Sequence, residues 1–390
     1  MKILFIITAS IAIKKCNEIF KDLNSKKILI DCIVTENAKK ITNVDELKKN
    51  ISGEIYDNKF KKKHAMLHIE LTRSSDLIVV CPATANIIGK FANGHADDLA
   101  STSLLASNKQ IIIIPAMNVE MWENQSNKKN VDVLKNMGVE FIGPEYGKLS
   151  CGEIGLGRLS EPKKINKILL QNLKLTKFLK NKKCLVTAGP TIEPIDSVRY
   201  LSNYSSGKQG YAIAKQMILS GADVTLISGP TNLQAPYKSK LIKINTANEM
   251  LNVVKANSKV DIAIFAAAVC DVSPVKTKKT KIKKNNLKSL NFKLNKDIIS
   301  EISSLKNKRP KIIIGFAAET NDHIANAKKK LIQKNCDVIV VNKIDKNNLV
   351  FGSENNKVSI ITRKKTLNFE KSSKTIVAKR IVRIISEFIS

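Results

Sequence analysis

Cys151 stands in SCGEIGLGRL at 150 to 159, with glycines at 152, 155 and 157 behind it. So much glycine makes a flexible loop, and a thiol on such a loop can be carried to a substrate and deliver a proton. Taken alone, Cys151 would equally be a buried thiol. A second stretch, SSGKQG at 205 to 210, precedes the apolar residues Ala212, Ile213, Met217 and Ile218. It reads as a helix entry of small residues and backbone donors, which can cradle a phosphate or serve as an ordinary cap. Ser10, at the start of another expected helix, could donate to a phosphate with help from the helix N-terminus. His68 opens HIEL at 68 to 71, which precedes the apolar run SSDLIVVCPAT. A lone histidine is more often structural, and His64, His95 and His323 can stay so.

These residues need elements to hold them, and the chain supplies a regular series. KILFIIT, ILIDCIVT, DLIVVCPAT and QIIIIPAMN are short β-branched runs separated by amphipathic stretches. That alternation is the signature of a parallel, doubly wound α/β sheet. It restarts at KKCLVTAGPT and continues through ADVTLISGPT, VDIAIFAAAV, KIIIGFAAET and CDVIVVNK. EPKKINKILLQNLKLTKFLKNKK, between the two series, is expected to be a closing helix and linker, with the boundary near Lys177. Ligands in open α/β sheets bind beyond the carboxyl ends of the strands. CPATAN, PAMNVEMW, TAGPT, ISGPT and GFAAET all place small or polar residues there.

The opening MKILFIITASIAIKK could be a secretory signal or a first strand. Its apolar run ends in Lys14 and Lys15 without a small-residue cleavage step, which favours a strand. The following SIAIKKCNEIFKDL then places Ile11, Ile19, Phe20 and Leu23 on one helical face. At 390 residues the chain can build two cores, and no segment is long and apolar enough to span a membrane. Seven scattered cysteines without a C-x-x-C pair argue against a disulfide framework and for a reducing cytoplasm. The net charge of +32 raises the question of nucleic-acid binding. Yet the lysines are spread along the whole chain, KTKKTKIKKNNLK at 276 to 288 being the densest run, and aromatics that would stack on bases are only 5%. The basic surface suits phosphorylated metabolites, and nucleic acid is not an expected partner.

HIEL, PATAN at 82 to 86, PAMNVEMW at 115 to 122 and SCGEIGLGRL, in this order and spacing over roughly residues 1 to 175, resemble the flavin-dependent phosphopantothenoylcysteine decarboxylases. The resemblance implies a flavodoxin-like flavoprotein domain over 1–176 that uses FMN as electron sink. The thiol of an acylated cysteine is oxidised to a thioaldehyde, CO2 is lost to give an enethiolate, and a hydride and a proton are then returned. It also implies that His68 is the base or orienting group beside the flavin, that Asn118 holds the substrate carboxylate, and that Asn86 and Met117 line the same pocket. Cys151 would reprotonate the enethiolate from a mobile lid. Ser10, Thr35 and Ser101 or Thr102 match positions near the cofactor. The first loop departs from the family pattern at Ala9 and Lys14, and TENAKKI departs at Lys40. The opening stretch aligns with the first strand and cofactor loop, so it is expected to be structure and not an address.

TAGPTIEPIDSVRYLSNYSSGKQG at 187 to 210, followed by AAAVCDV, KIKK, GFAAET and FGSENN, resembles the phosphopantothenate-cysteine ligases. The resemblance implies a Rossmann-like, nucleotide-binding ligase domain over 177–390, which activates a carboxylate with CTP as an acyl-cytidylate before cysteine displaces CMP. Lys281, in KIKK, matches the lysine of acyl-cytidylate formation, although it stands in a lysine-rich run. Asn203 matches the asparagine that handles the intermediate, and Asp271 the nucleotide-site aspartate. Gly189, Ser206, Phe316 and Lys334 match further pocket positions. Mg2+ is implied with the triphosphate, its ligands unassigned. Val272 and Lys296 depart from the pattern.

The expectation is a fused cytoplasmic enzyme that converts 4'-phosphopantothenate and L-cysteine, with CTP, to 4'-phosphopantetheine. By resemblance it is a homo-oligomer, a dodecamer. One alternative keeps only one half active. A Rossmann dehydrogenase is excluded because no G-x-G-x-x-G follows the first strand of either half.

Overall fold

The computed structural model describes residues 1–57, 66–150, 152–283, 289–344 and 352–389. It divides into two compact units, Met1–Thr176 and Lys177–Ser390.

The first unit is built on strands β1 (Lys2–Ile7), β2 (Leu29–Val34), β3 (Ile55–Tyr56), β4 (Leu77–Ala83), β5 (Gln110–Pro115) and β6 (Glu140–Phe141). They form one sheet in the order β3-β2-β1-β4-β5-β6, and every neighbouring pair is parallel. Strand alternation explains why KILFII is apolar throughout. Ile3, Phe5 and Ile7 face one buried cluster with Ile19, Phe20, Ile165 and Leu169. Leu4 and Ile6 face the other, with Leu71, Ile88, Phe91 and Leu134. Helices thus cover both faces, and each such side chain contributes roughly 1.5–3 kcal/mol by leaving water. Phe5 and Phe20 meet edge to face with centroids 4.9 Å apart.

Ile11 is a correction. It is 66% exposed, whereas Ile13 is buried. Residues Ile11–Lys15 form a 3-10 turn before the α-helix Cys16–Ser25. Three residues per turn instead of 3.6 changes the phase, so the α-helical spacing drawn back from Ile19 fails at Ile11.

The second unit has an eight-stranded sheet. Its spatial order is Lys240–Lys243, Asp223–Ser228, Lys183–Ala188, Ile262–Phe265, Ile312–Glu319, Val338–Lys343, Val358–Thr362 and Thr366–Asn368. The first six are parallel and the last two join antiparallel. Helices Lys208–Leu219 and Lys374–Ile389 pack on one face through Ile213, Met217, Val377 and Ile381. Ala247–Ala256, Ile298–Ser303 and His323–Gln333 pack on the other through Met250, Ile302 and Leu331. The chain between the two strand series forms the helix Pro162–Leu175, started by Pro162 in its first turn. Its Ile165, Leu169 and Leu173 belong to the first unit's core, while Leu179 already belongs to the second's. No helix among the described residues is long and apolar enough to cross a membrane.

Candidate functional site

In the first sheet the strand order turns back between β1 and β4, and the loops leaving these strands flank a crevice at their carboxyl ends. Thr8 locks the two loops together. Its buried hydroxyl donates to Pro82 O at 2.7 Å, and the Thr84 N–H donates to Thr8 Oγ1 at 3.1 Å. Ser10 caps the 3-10 turn, accepting from the Ala12 N–H at 3.4 Å. Thr35 occupies the corresponding place after β2, and Asn86 is exposed in the first turn of helix Ala85–Ala92.

After β5, Met117 is buried and its N–H donates to Gly157 O at 3.1 Å. Asn118 caps the short helix Val119–Glu123, its side-chain oxygen accepting from the Met121 N–H at 2.9 Å. The oxygen being spent, the NH2 end of Asn118 is the part suited to a carboxylate. Asn127 supports this loop from the next helix, its Nδ2 donating to Met117 Sδ at 3.7 Å and Trp122 O at 3.4 Å.

The antiparallel hairpin Glu145–Lys148 with Ile154–Arg158 reaches the same loop. A Cβ on Gly157 would lie 2.2 Å from Met117 O, so only glycine lets the hairpin lie this close. Glu153 Oε2 accepts from the Val119 N–H at 3.3 Å. Cys151 lies outside the described residues.

His68 is in the first turn of helix Leu67–Ser74, anchored in the core by Leu67 and Leu71. That helix feeds β4, so its first turn points toward the crevice edge. Its Nδ1 is buried and has no hydrogen-bond partner among the described residues. An orphaned buried polar atom costs about 1–3 kcal/mol, a cost that a bound group would remove. Ser101 and Thr102 occupy the first turn of helix Leu99–Ala106, which feeds β5. Ser101 is wholly buried in a capping box with Asp98, Oγ to Oδ1 at 2.8 Å and N–H to Oδ1 at 2.7 Å, while Thr102 is half-buried. The hydroxyl of Ser101 therefore has a structural partner already. Among the described residues no hydrogen bond joins His68, Asn86 and Asn118. The edge places Ser10, Thr35, Asn86, Met117 and Asn118 together through the backbone. Lys14 and Lys40 are exposed.

In the second sheet the crevice lies beyond Lys183–Ala188. Gly189 and Gly207 have φ of +73° and +74°, and a Cβ on Gly207 would come 2.7 Å from Thr231 Cγ2 and 3.5 Å from Gly189 Cα. Glycine at both positions makes a close backbone cradle at the start of helix Lys208–Leu219, with half-buried Ser206 just before it. Such an entry offers N–H donors to an anion.

Asn203 is exposed, and its Nδ2 donates to Val269 O at 2.9 Å. Two residues on, Asp271 O accepts from the Asn295 N–H at 2.8 Å, while Asn295 Nδ2 donates to Cys270 O at 2.9 Å. Asp297 then pairs with Lys334 at 2.6 Å. Asn203, Asp271 and Lys334 are thus linked through two short segments. Burial pushes the Asp297 carboxyl up, but Lys334 and the Ser300 N–H outweigh it and leave it below its ordinary value. Phe316 is half-buried on Ile312–Glu319, one residue beyond the end of the neighbouring strand at Phe265.

Lys281 lies on a strap fixed to the turn at 194–199. Thr277 Oγ1 donates to Pro194 O at 3.0 Å and the Lys278 N–H to Ile195 O at 3.1 Å. The Ile282 N–H donates to Asp196 Oδ2 at 3.0 Å. The Arg199 guanidinium holds the Asp196 carboxyl far below the usual carboxylate range, against burial, helped by backbone N–H groups. Lys281 itself is exposed, its ammonium without a hydrogen-bond or ion-pair partner among the described residues. Thr8, Asn127, Glu153, Asp196 and Arg199 were not singled out in the sequence. The last two stand in the quoted stretch TAGPTIEPIDSVRY, but no local pattern shows what they grip.

Residues 179–389 match the family described as DNA/pantothenate metabolism flavoprotein C-terminal domain, and residues 1–174 the family described as Flavoprotein. A coenzyme A biosynthesis bifunctional protein CoaBC from Vibrio vulnificus (strain CMCP6) is 34% identical over 390 residues, 98% of this chain and 97% of its own. A protein of the same name from Borreliella burgdorferi is 40% identical over 361 residues, 91% of each chain. A cysteine/cysteine sulfinic acid decarboxylase from an unknown prokaryotic organism is 40% identical over 326 residues, 82% of this chain and 90% of its own. With the likeness running through both units, the chain belongs to the CoaBC family of bifunctional coenzyme A biosynthesis proteins.

Proposed function

We propose that the chain performs two consecutive steps: ligation of L-cysteine to 4'-phosphopantothenate with CTP over 177–390, then decarboxylation of the product to 4'-phosphopantetheine over 1–176. The observation that carries this reading is the nearly full-length match to bifunctional CoaBC proteins, which spans both crevices.

In the ligase step a carboxylate oxygen attacks the α-phosphorus of CTP, and the bond to pyrophosphate breaks. Lys281 offsets the charge that builds on the phosphate oxygens. Mg2+ would arrive with the triphosphate, and the Gly189–Gly207 cradle, Ser206, Asp271, Phe316 and Lys334 are the groups proposed to hold substrate and nucleotide. The cysteine amine then attacks the acyl carbon, the bond to CMP breaks, and Asn203 holds the acyl group during that exchange.

The decarboxylase crevice suits FMN: the orphaned Nδ1 of His68 seeks a partner, and small polar residues, Ser10 and Thr35 among them, collar the strand ends. Thr102 completes that collar, set in place by the capping box that engages the N–H and hydroxyl of Ser101. FMN when bound supplies the electron sink that decarboxylation of an acylated cysteine lacks. His68 orients the substrate or accepts a proton from it. The Asn118 NH2 binds the substrate carboxylate, flanked by Asn86 and Met117, and the Cys151 thiol returns a proton to the product carbon. The cysteines among the described residues are all free thiols, in keeping with a reducing cytoplasm. Assembly as a homo-oligomer, a dodecamer in this family, is part of the proposal.

The decarboxylase relative favours a second reading in which free cysteine is the decarboxylated substrate. One experiment separates them: mass spectrometry of products after incubation with 4'-phosphopantothenate, cysteine, CTP and Mg2+. 4'-Phosphopantetheine with CMP supports the two-step reading. Arrest at phosphopantothenoylcysteine means an inactive flavin half, and no conversion overturns the ligase assignment. CO2 loss from free cysteine alone supports the second reading.

A further inference from the structure

Asp196 is 5% exposed, yet it serves a strap at the surface. Its carboxylate accepts from the N–H groups of Val198 and Arg199 at 2.9 Å each, from Arg199 Nε at 3.1 Å, from Arg199 Nη2, and from the Ile282 N–H at 3.0 Å. The same Arg199 Nη2 donates to Ile282 O at 2.9 Å. One residue of the strap is therefore gripped by both its N–H and its C=O. With the contacts at Thr277 and Lys278, the grip leaves only three residues, Lys279 to Lys281, between anchors.

A buried carboxylate must be compensated on every side, so burying one for a surface strap alone would be a poor exchange. A lysine has a long flexible stem, and its ammonium can be delivered to one place only if the backbone beneath it is fixed. A displacement of about 1 Å at a reacting centre can cost on the order of 100-fold in rate. We propose that Asp196, acting through Arg199 and Ile282, is a positioning residue for Lys281 that fixes the strap so its ammonium meets the phosphates as the acyl-nucleotide forms. The inference rests on the role given to Lys281 above.

Asp196→Asn keeps the size and removes the charge. Full-length protein is digested briefly with trypsin and analysed by mass spectrometry. Cleavage after Lys278, Lys279, Lys281 and Lys283 is expected to quicken about 10-fold in the variant, with cleavage elsewhere unchanged, because protection tracks local opening. The single-turnover rate of pyrophosphate release from CTP and 4'-phosphopantothenate without cysteine is expected to fall about 10- to 100-fold, with the CTP concentration that gives half the maximal rate within about threefold. Asp196→Asn combined with Lys281→Gln should be no slower than Lys281→Gln alone, since both act on one interaction. Strap cleavage at the wild-type rate, or fully additive losses, overturns the proposal. Lys281→Gln releasing pyrophosphate at the wild-type rate overturns the lysine's own role and the positioning role with it. A slow Lys281→Gln beside an unimpaired Asp196→Asn overturns positioning alone. Should Asp196→Asn not fold, Ile282→Pro removes the gripped N–H while keeping the Asp196–Arg199 pair, and the same results are expected of it.

Discussion

His68 is the residue whose environment asks most plainly for a partner, because its buried Nδ1 has none among the described residues. If it serves the decarboxylation, His68→Asn should lower the rate by about 10²- to 10⁴-fold, the usual worth of a positioned acid–base group. The flavin absorbance of the purified protein should persist, and its loss would recast His68 as a cofactor ligand. Asp297 tests electrostatics in the other crevice. Its lowered carboxyl pKa means that its pairing with Lys334 stabilises the fold above the unfolded value of about 3.9 and stops doing so as pH falls through the lower folded value. Asn also caps helices well, so Asp297→Asn removes the charge and spares the cap. Urea midpoints should show the variant weaker at pH 7 by less than about 1 kcal/mol, as the pair is partly exposed, and the gap should close below about pH 4. At this scale the legible residues were those directly after parallel strands, such as Asn86, Asn118 and Gly189, because topology fixes where strand ends go. Asp196 and Ile282 meet across 86 residues of sequence, and no local pattern announces such a contact.

Helix Lys208–Leu219 shows an element in which two ordinary effects oppose each other. Replacing a helical glycine by alanine usually stabilises by about 1 kcal/mol. A Cβ on Gly210, however, would sit 2.5 Å from Ala188 Cβ and 3.0 Å from Thr187 O, on the strand that carries the glycine cradle. Overpacking of this kind costs about 1–3 kcal/mol and should win. Gly210→Ala is therefore expected to destabilise the second unit, and a gain in its denaturation midpoint would mean the helix can shift outward without cost. The fold itself thus sets both glycines of SSGKQG, Gly207 by its positive φ and Gly210 by its close approach to Ala188 and Thr187. Elements with continuous apolar runs were legible from composition alone, since a strand buried on both faces tolerates little else. The start of the first helix was not. Apolar spacing cannot distinguish a 3-10 turn from an α-turn across five residues, and the phase slip exposed Ile11 in place of Ile13.

Each unit of the molecule buries its own apolar clusters, one pair drawn from residues up to Leu173 and the other from Leu179 onward. Separate cores are the physical condition for separate unfolding transitions. The chain supplies its own reporter, because its single tryptophan, Trp122, packs against a first-unit cluster beside the Asn118 loop. Tryptophan fluorescence should therefore follow the first unit alone, whereas far-ultraviolet circular dichroism follows both. In urea the two signals should not superimpose, and Gly210→Ala should move the dichroism transition to lower urea while leaving the fluorescence midpoint in place. Superimposable curves that shift together in the variant would show instead that the chain unfolds as one cooperative body. The two chemistries would then share a single stability, and a substitution in either crevice would weaken both.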